Sequence, residues 1–91
     1  MKTYQLRITG KVQGVWYRAS AKDKALSLGL KGKVWNERDG AVGALVQGPD
    51  PQVNEFVEWC KEGPMLAKVN DVVVEEQVLD EIYSSFEIVR Q

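Results

Sequence analysis

The sequence contains no histidine and one cysteine, Cys60, and its charges nearly cancel: 12 Lys and Arg against 13 Asp and Glu, a net charge of −1. Each shortage removes a class of chemistry. Without imidazole there is no Ser-His or Cys-His dyad, no histidine general base and no phosphohistidine. One thiol and no imidazole argue against a transition-metal centre, so neither metal nor cofactor is expected. A lone thiol cannot close an internal disulfide, which points to a reducing, cytoplasmic location. The charge balance argues against nucleic-acid binding, which draws on an excess of Lys and Arg. No apolar run approaches the roughly 18–20 residues of a membrane span. Residues 1–7 alternate polar and apolar, unlike a secretion signal. Repeats, low-complexity tracts and long linkers are also missing. An enzyme made from these residues must work mainly by positioning and electrostatics.

The 91 residues suit one hydrophobic core, and 44% hydrophobic with 27% charged residues is an ordinary globular balance. A single domain over residues 1–91 is therefore expected, acting as a monomer. In residues 3–12, Tyr4, Leu6, Ile8 and Val12 fall on one side and Gln5, Arg7, Thr9 and Lys11 on the other, a strand with one buried face. Gly10 and Gly14 bracket its end. Ala21, Ala25 and Leu28 then recur at helical spacing, predicting a helix over 19–28 that Gly29 stops. Residues 31–37 and 41–47 predict two strands joined by an Asp39-Gly40 turn. In Gly48-Pro49-Asp50-Pro51, Asp50 is placed as a cap and Pro51 at the first helical position. The stripe Val53, Phe56, Val57 and Cys60 follows, with Cys60 as a packing residue, and Gly63-Pro64 ends the helix. Residues 67–78 are Val-rich, and 85–90 read as a short last strand. The order β-α-β-β-α-β plus a short strand predicts an α+β, ferredoxin-like sandwich: an antiparallel sheet with two helices on one face. That fold hosts many unrelated functions.

Chemistry concentrates in Gly10-Lys11-Val12-Gln13-Gly14-Val15-Trp16-Tyr17-Arg18, where a strand ends, a glycine turn follows and a helix begins. Backbone N–H groups at such a junction lack helical partners and point outward at the positive end of the helix dipole, a ready anion site. Gly14 lets several N–H groups aim at one point, and the planar fork of Arg18 suits two phosphate oxygens. A tight turn with a solvated Arg18 is the competing reading of these residues.

The same nine residues resemble the signature of the acylphosphatase family. Leu28-Gly29-Leu30-Lys31-Gly32, Val34-Trp35-Asn36, Asp39-Gly40, Gly48-Pro49, Gly63-Pro64 and Phe86-Glu87-Ile88 fit in register, so the resemblance covers nearly the whole chain. It implies hydrolysis of acyl phosphates to a carboxylate and inorganic phosphate, with no metal and no phosphoenzyme. Arg18 and Asn36 fall on the family's catalytic Arg and Asn. The backbone amides of Gln13, Gly14, Val15, Trp16, Tyr17 and Arg18 fall on its phosphate cradle. Asn36 would orient a water, and Arg18 with the amides would hold the phosphoryl oxygens.

Departures from the family pattern are Tyr17 where Phe is usual, Ala21 where a Thr is common, and Trp35 beside Asn36, a candidate to alter acyl-side contacts. A turn-forming Asn is the bland alternative for Asn36, and core or pocket wall for Trp16 and Tyr17. The alternative function is a non-catalytic acylphosphatase-like binding or regulatory module, which would be expected to lose Arg18 or Asn36. An RNA-binding domain of similar fold would carry aromatics on its central strands, and residues 41–46 have none.

Overall fold

The computed structural model describes residues 1–78 and 80–90. Alternation in the first strand becomes a two-faced β1 (Lys2–Lys11), with Leu6 and Ile8 in the core and Gln5 and Arg7 exposed. Near its end the pairing with β4 (Lys68–Gln77) shifts register between Thr9 and Gly10. Gly10 has φ 122°, and a Cβ there would lie 2.2 Å from the Lys68 carbonyl oxygen, so only glycine fits. Such a bulge re-aims the strand that carries it. Beyond it Val12 turns into the core.

Helix α1 (Tyr17–Ser27) starts two residues before the predicted 19 and buries Tyr17, Ala21 and Ala25 at steps of four. Strands β2 (Lys31–Asn36) and β3 (Val42–Gly48) pair antiparallel across the predicted turn. That turn is closed by Glu37 N–H to Ala41 O at 2.8 Å and by Ala41 N–H to the Asp39 carboxylate at 3.1 Å. The Arg7 guanidinium pairs with the other Asp39 oxygen. This bond and the Ala41 amide hold the Asp39 carboxyl below its ordinary range.

Helix α2 (Asp50–Glu62) departs from expectation at its first turn. Pro49, extended at φ −66° and ψ 146°, is the N-cap, and Asp50 is already helical. The reason is backbone geometry: the Pro49 carbonyl accepts from Val53 N–H at 3.0 Å, so the first helical bond begins one residue early. Asp50 makes no capping bond, though a carboxylate in the first turn still suits the helix dipole. Of the predicted stripe, Val53, Phe56 and Cys60 are buried, and Val57 is half-buried against the core.

The sheet order is β4-β1-β3-β2-β5, with both helices packed on the face bearing Leu6, Ile8, Val34, Val42, Ala44 and Val46. The architecture is the predicted ferredoxin-like α+β sandwich. Strand β5 (Phe86–Ile88) adds a refinement: it runs parallel to β2, with Val34 opposite Ile88. Val89 N–H continues the pairing to Val34 O at 2.9 Å, so the chain after β5 runs alongside the end of β2.

On the other face, Trp35 lies over Gly43, where a Cβ would meet its ring at 2.4 Å. The buried Gln47 side chain donates to Thr3 Oγ1 and to the Glu81 carbonyl, both at 2.9 Å, and accepts from Tyr83 N–H. Those bonds satisfy a buried amide and tie residues 81–83 across the sheet. Among the described residues, no helix is long and apolar enough to cross a membrane.

Cys60 is fully buried, and burial pushes its thiol up to about 12. It should therefore react with an aromatic disulfide reagent near pH 8 only as the protein unfolds in urea. Prompt labelling of the folded protein would contradict this placement.

Candidate active site

Three consecutive side chains shape the turn between β1 and α1. Val15 and Tyr17 point inward, 5% and 2% exposed, while Trp16 between them is 76% exposed. The backbone alternates hand to achieve this. Gly14 has φ 75° and Trp16 has φ 66° and ψ 20°, both left-handed, whereas Val15 between them does not. Alternating hands aim successive N–H groups into one concavity, which suits an anion.

Trp16 is the N-cap of α1, and no side chain caps the helix. The first helical bond runs from Ser20 N–H to Trp16 O at 3.0 Å, leaving the preceding N–H groups without helical acceptors at the positive end of the dipole. Arg18 stands in this first turn, half-buried, and among the described residues it enters no ion pair.

Tyr17 anchors the turn to α2. Its hydroxyl donates to the Cys60 carbonyl at 2.7 Å, and its ring lies 5.5 Å from that of Trp59. Gly63 makes room for it, since a Cβ there would come within 2.7 Å of the Tyr17 ring. Burial first and the neighbouring Cys60 second raise the phenol pKa, so the hydroxyl remains a neutral donor.

Asn36 ends β2, half-buried. Its Oδ1 is buried, and among the described residues no donor reaches it. A buried acceptor without a partner costs about 1–3 kcal/mol and calls for an explanation. The explanation on offer is its location: Asn36 and Arg18 share the walls of one cavity of about 410 Å³, with Glu37, Arg38, Val89 and Arg90 around them. A second cavity of about 500 Å³ includes Val12, Gly14, Trp16, Tyr17 and Ile88 in its walls and shares Arg18 and Arg90 with the first. Strand and helix thus bring Arg18, Asn36 and the glycine turn together.

Gln13 and Val15 line neither cavity. Val15 anchors the turn from inside. The Gln13 side chain donates to the carbonyls of Glu37 at 2.7 Å and Ala41 at 2.8 Å, bracing the glycine turn against the β2–β3 turn just after Asn36. The sequence reading considered only its backbone amide, although an amide side chain in an anion turn was a signal. Arg90 was missed altogether, because it reaches the site only through the parallel pairing of β5.

The expectation for Trp35 is corrected. It sits on the opposite face from Val34, donates Nε1–H to the Glu37 carboxylate at 2.8 Å, and lines neither cavity. Alternation along β2 turns it away from the side on which Asn36 is presented.

The fold and the site define a ferredoxin-like α+β protein whose strand-turn-helix junction has the geometry that suits an anion. The family model described as acylphosphatase matches residues 4–88. The chain is 46% identical to an acylphosphatase of Shewanella amazonensis over 97% of each chain. It is 51% identical to one of Acaryochloris marina over 91% of this chain and 88% of that one. Among solved structures, the Bacillus subtilis acylphosphatase superposes with a TM-score of 0.94 at 37% identity, covering 98% of this chain and 99% of that one. The chain belongs to the acylphosphatase family and is an enzyme of that family.

Tyr17→Phe removes the bond to the Cys60 carbonyl while keeping the ring. It should lower stability by about 1–3 kcal/mol in urea unfolding. An unchanged midpoint would show that this anchor contributes nothing.

Proposed function

We propose that the enzyme hydrolyses the carboxyl–phosphate bond of acyl phosphates, with Arg18 and Asn36 as its catalytic residues. The observation that carries this reading is the unpartnered, buried Oδ1 of Asn36 in a cavity shared with Arg18. The amides of residues 13–18 and the Arg18 guanidinium bind the phosphoryl oxygens and offset their charge as the transition state forms. Asn36 Oδ1 accepts a hydrogen bond from a water and turns its lone pair toward phosphorus. The water oxygen bonds to phosphorus, the bond from phosphorus to the acyl oxygen breaks, and the carboxylate leaves with that electron pair. The water's proton passes to a phosphoryl oxygen, giving inorganic phosphate.

The carboxylate is a stable leaving group, so the step needs no general acid, and the phosphoryl oxygens replace a general base. Such a site works without histidine, and positioning alone can lower a barrier by roughly 7–11 kcal/mol. No metal is needed in this scheme. All the named groups come from one chain, so the scheme needs no residue of a second copy. The single, buried Cys60 suits a reducing, cytoplasmic setting.

Metal-free turnover of acetyl phosphate tests the scheme. Arg18→Ala should lower turnover at least about 10³-fold and weaken inhibition by phosphate, and Arg18→Lys should restore little because a point charge lacks the fork. Asn36→Ala should lower kcat about 10²–10³-fold while phosphate inhibition stays near wild type. Near-normal turnover by Arg18→Ala, or a loss of phosphate affinity without loss of kcat in Asn36→Ala, would overturn these roles. Excess EDTA should leave the wild-type rate unchanged; strong inhibition would refute the metal-free scheme.

A further inference from the structure

We propose that Arg90 is a third catalytic residue, whose guanidinium contacts the phosphoryl oxygens beside Arg18 and takes up charge there as the transition state forms. The inference rests on the reading of the site as an acyl phosphate hydrolase.

Strand pairing sets where Arg90 stands. Strand β5 runs parallel to β2, with Gly32 opposite Phe86, Lys33 opposite Glu87 and Val34 opposite Ile88. The bond from Val89 N–H to Val34 O at 2.9 Å carries the same register past the end of β5. Asn36 and Arg90 follow two residues after Val34 and Ile88, so this register sets them opposite each other. Neighbours in register project to the same face of a sheet. Arg90 therefore joins Asn36 on the side that bears Val34 and faces the helices. One turn after Arg18, Lys22 pairs with Glu87 at 3.6 Å and ties α1 to β5.

The two cavities define what Arg90 meets there. Gly14, Trp16 and Tyr17 of the amide turn line the larger one, and Asn36 lines the smaller. A phosphorus atom held by the amides and attacked by a water on Asn36 lies where the two meet. Arg18 and Arg90 are the two residues that line both cavities, so both stand at that junction.

Charge points the same way. Among the described residues neither Arg18 nor Arg90 enters an ion pair. Glu37 is the one carboxylate in these walls, and it already accepts from Trp35 Nε1–H at 2.8 Å. Two guanidinium groups brought together without a carboxylate repel each other, and an anion between them removes that repulsion. The phosphoryl group spreads its charge over three equatorial oxygens during transfer. One guanidinium fork pairs with two of them, which leaves the third for Arg90 and the turn amides.

The test measures kcat and KM for acetyl phosphate, inhibition by inorganic phosphate and the urea midpoint in the wild type, Arg90→Gln and Arg90→Lys. Arg90→Gln should lower kcat about 10–100-fold and weaken inhibition by phosphate, with the urea midpoint near wild type. Arg90→Lys keeps a charge without the fork, so its kcat should stay at least about fivefold below wild type. It decides the matter if Arg90→Gln does not fold. A kcat within about twofold of wild type, with only a rise in KM that salt abolishes, marks long-range attraction and overturns the contact. A lower kcat that comes with a lower urea midpoint and unchanged phosphate inhibition marks a structural role and overturns it as well. Either result leaves the hydrolase reading in place. A wild type that does not turn over acetyl phosphate overturns that reading, and the role of Arg90 with it.

Discussion

The left-handed turn at Trp16 exists because its two neighbours are buried. Holding a tryptophan at φ 66° opposes folding by about 1–2 kcal/mol. Burying a side chain the size of Tyr17 contributes about 1.5–3 kcal/mol, and its hydroxyl adds a bond to the carbonyl of Cys60. Val15 adds a second buried anchor on the other side of Trp16. Packing therefore outweighs strain, and the amides of the turn are aimed before any anion arrives. Everything proposed for the site depends on that orientation. Arg18 follows from the same constraint, since burying Tyr17 sets where the next residue leaves the helix.

The enzyme's electrostatics are local. A net charge of −1 conceals a cavity whose walls include Arg18, Arg38 and Arg90 against one acidic residue, Glu37, beside a turn at a helix N-terminus. Partial charges of the backbone do not enter a count of Lys and Arg, and they draw a phosphate only at close range. In the proposed scheme the phosphate is held by these local groups and not by the overall charge. The missing histidine fits the proposed scheme, in which an anhydride with a good leaving group needs orientation more than proton transfer.

Two supports hold Asn36 in relation to the turn. The Gln13 side chain links the turn to the carbonyls of Glu37 and Ala41, so the segments bearing the amides and Asn36 share a brace. Strand β5 pairs in parallel with β2 and brings Ile88, Val89 and Arg90 to the same edge. The helix-covered core lies behind both supports. Gln47 serves the opposite face in a similar way, turning a buried polar group into a clamp on residues 81–83.

Local patterns in the chain were enough to determine its elements and their order. Alternation in β1, the Asp39-Gly40 turn, the stripe on α2 and the burial of Cys60 each depend on neighbours a few residues away. The candidate residues Arg18 and Asn36 were legible for a related reason: a strand-glycine-helix junction has its own chemistry, and the resemblance extended it along the chain. The start of α2 was displaced by one residue because Pro49 cannot donate a hydrogen bond yet accepts one well, a choice that composition alone leaves open. Only the tertiary structure decided which faces meet. It put Trp35 on the far side of the sheet, left Trp16 exposed at a cavity wall, set the Gln13 amide against a turn some 24 residues away, and brought Arg90 beside Arg18. Those placements depend on strand register and on the direction in which β5 pairs, which are set by the summed packing of distant segments.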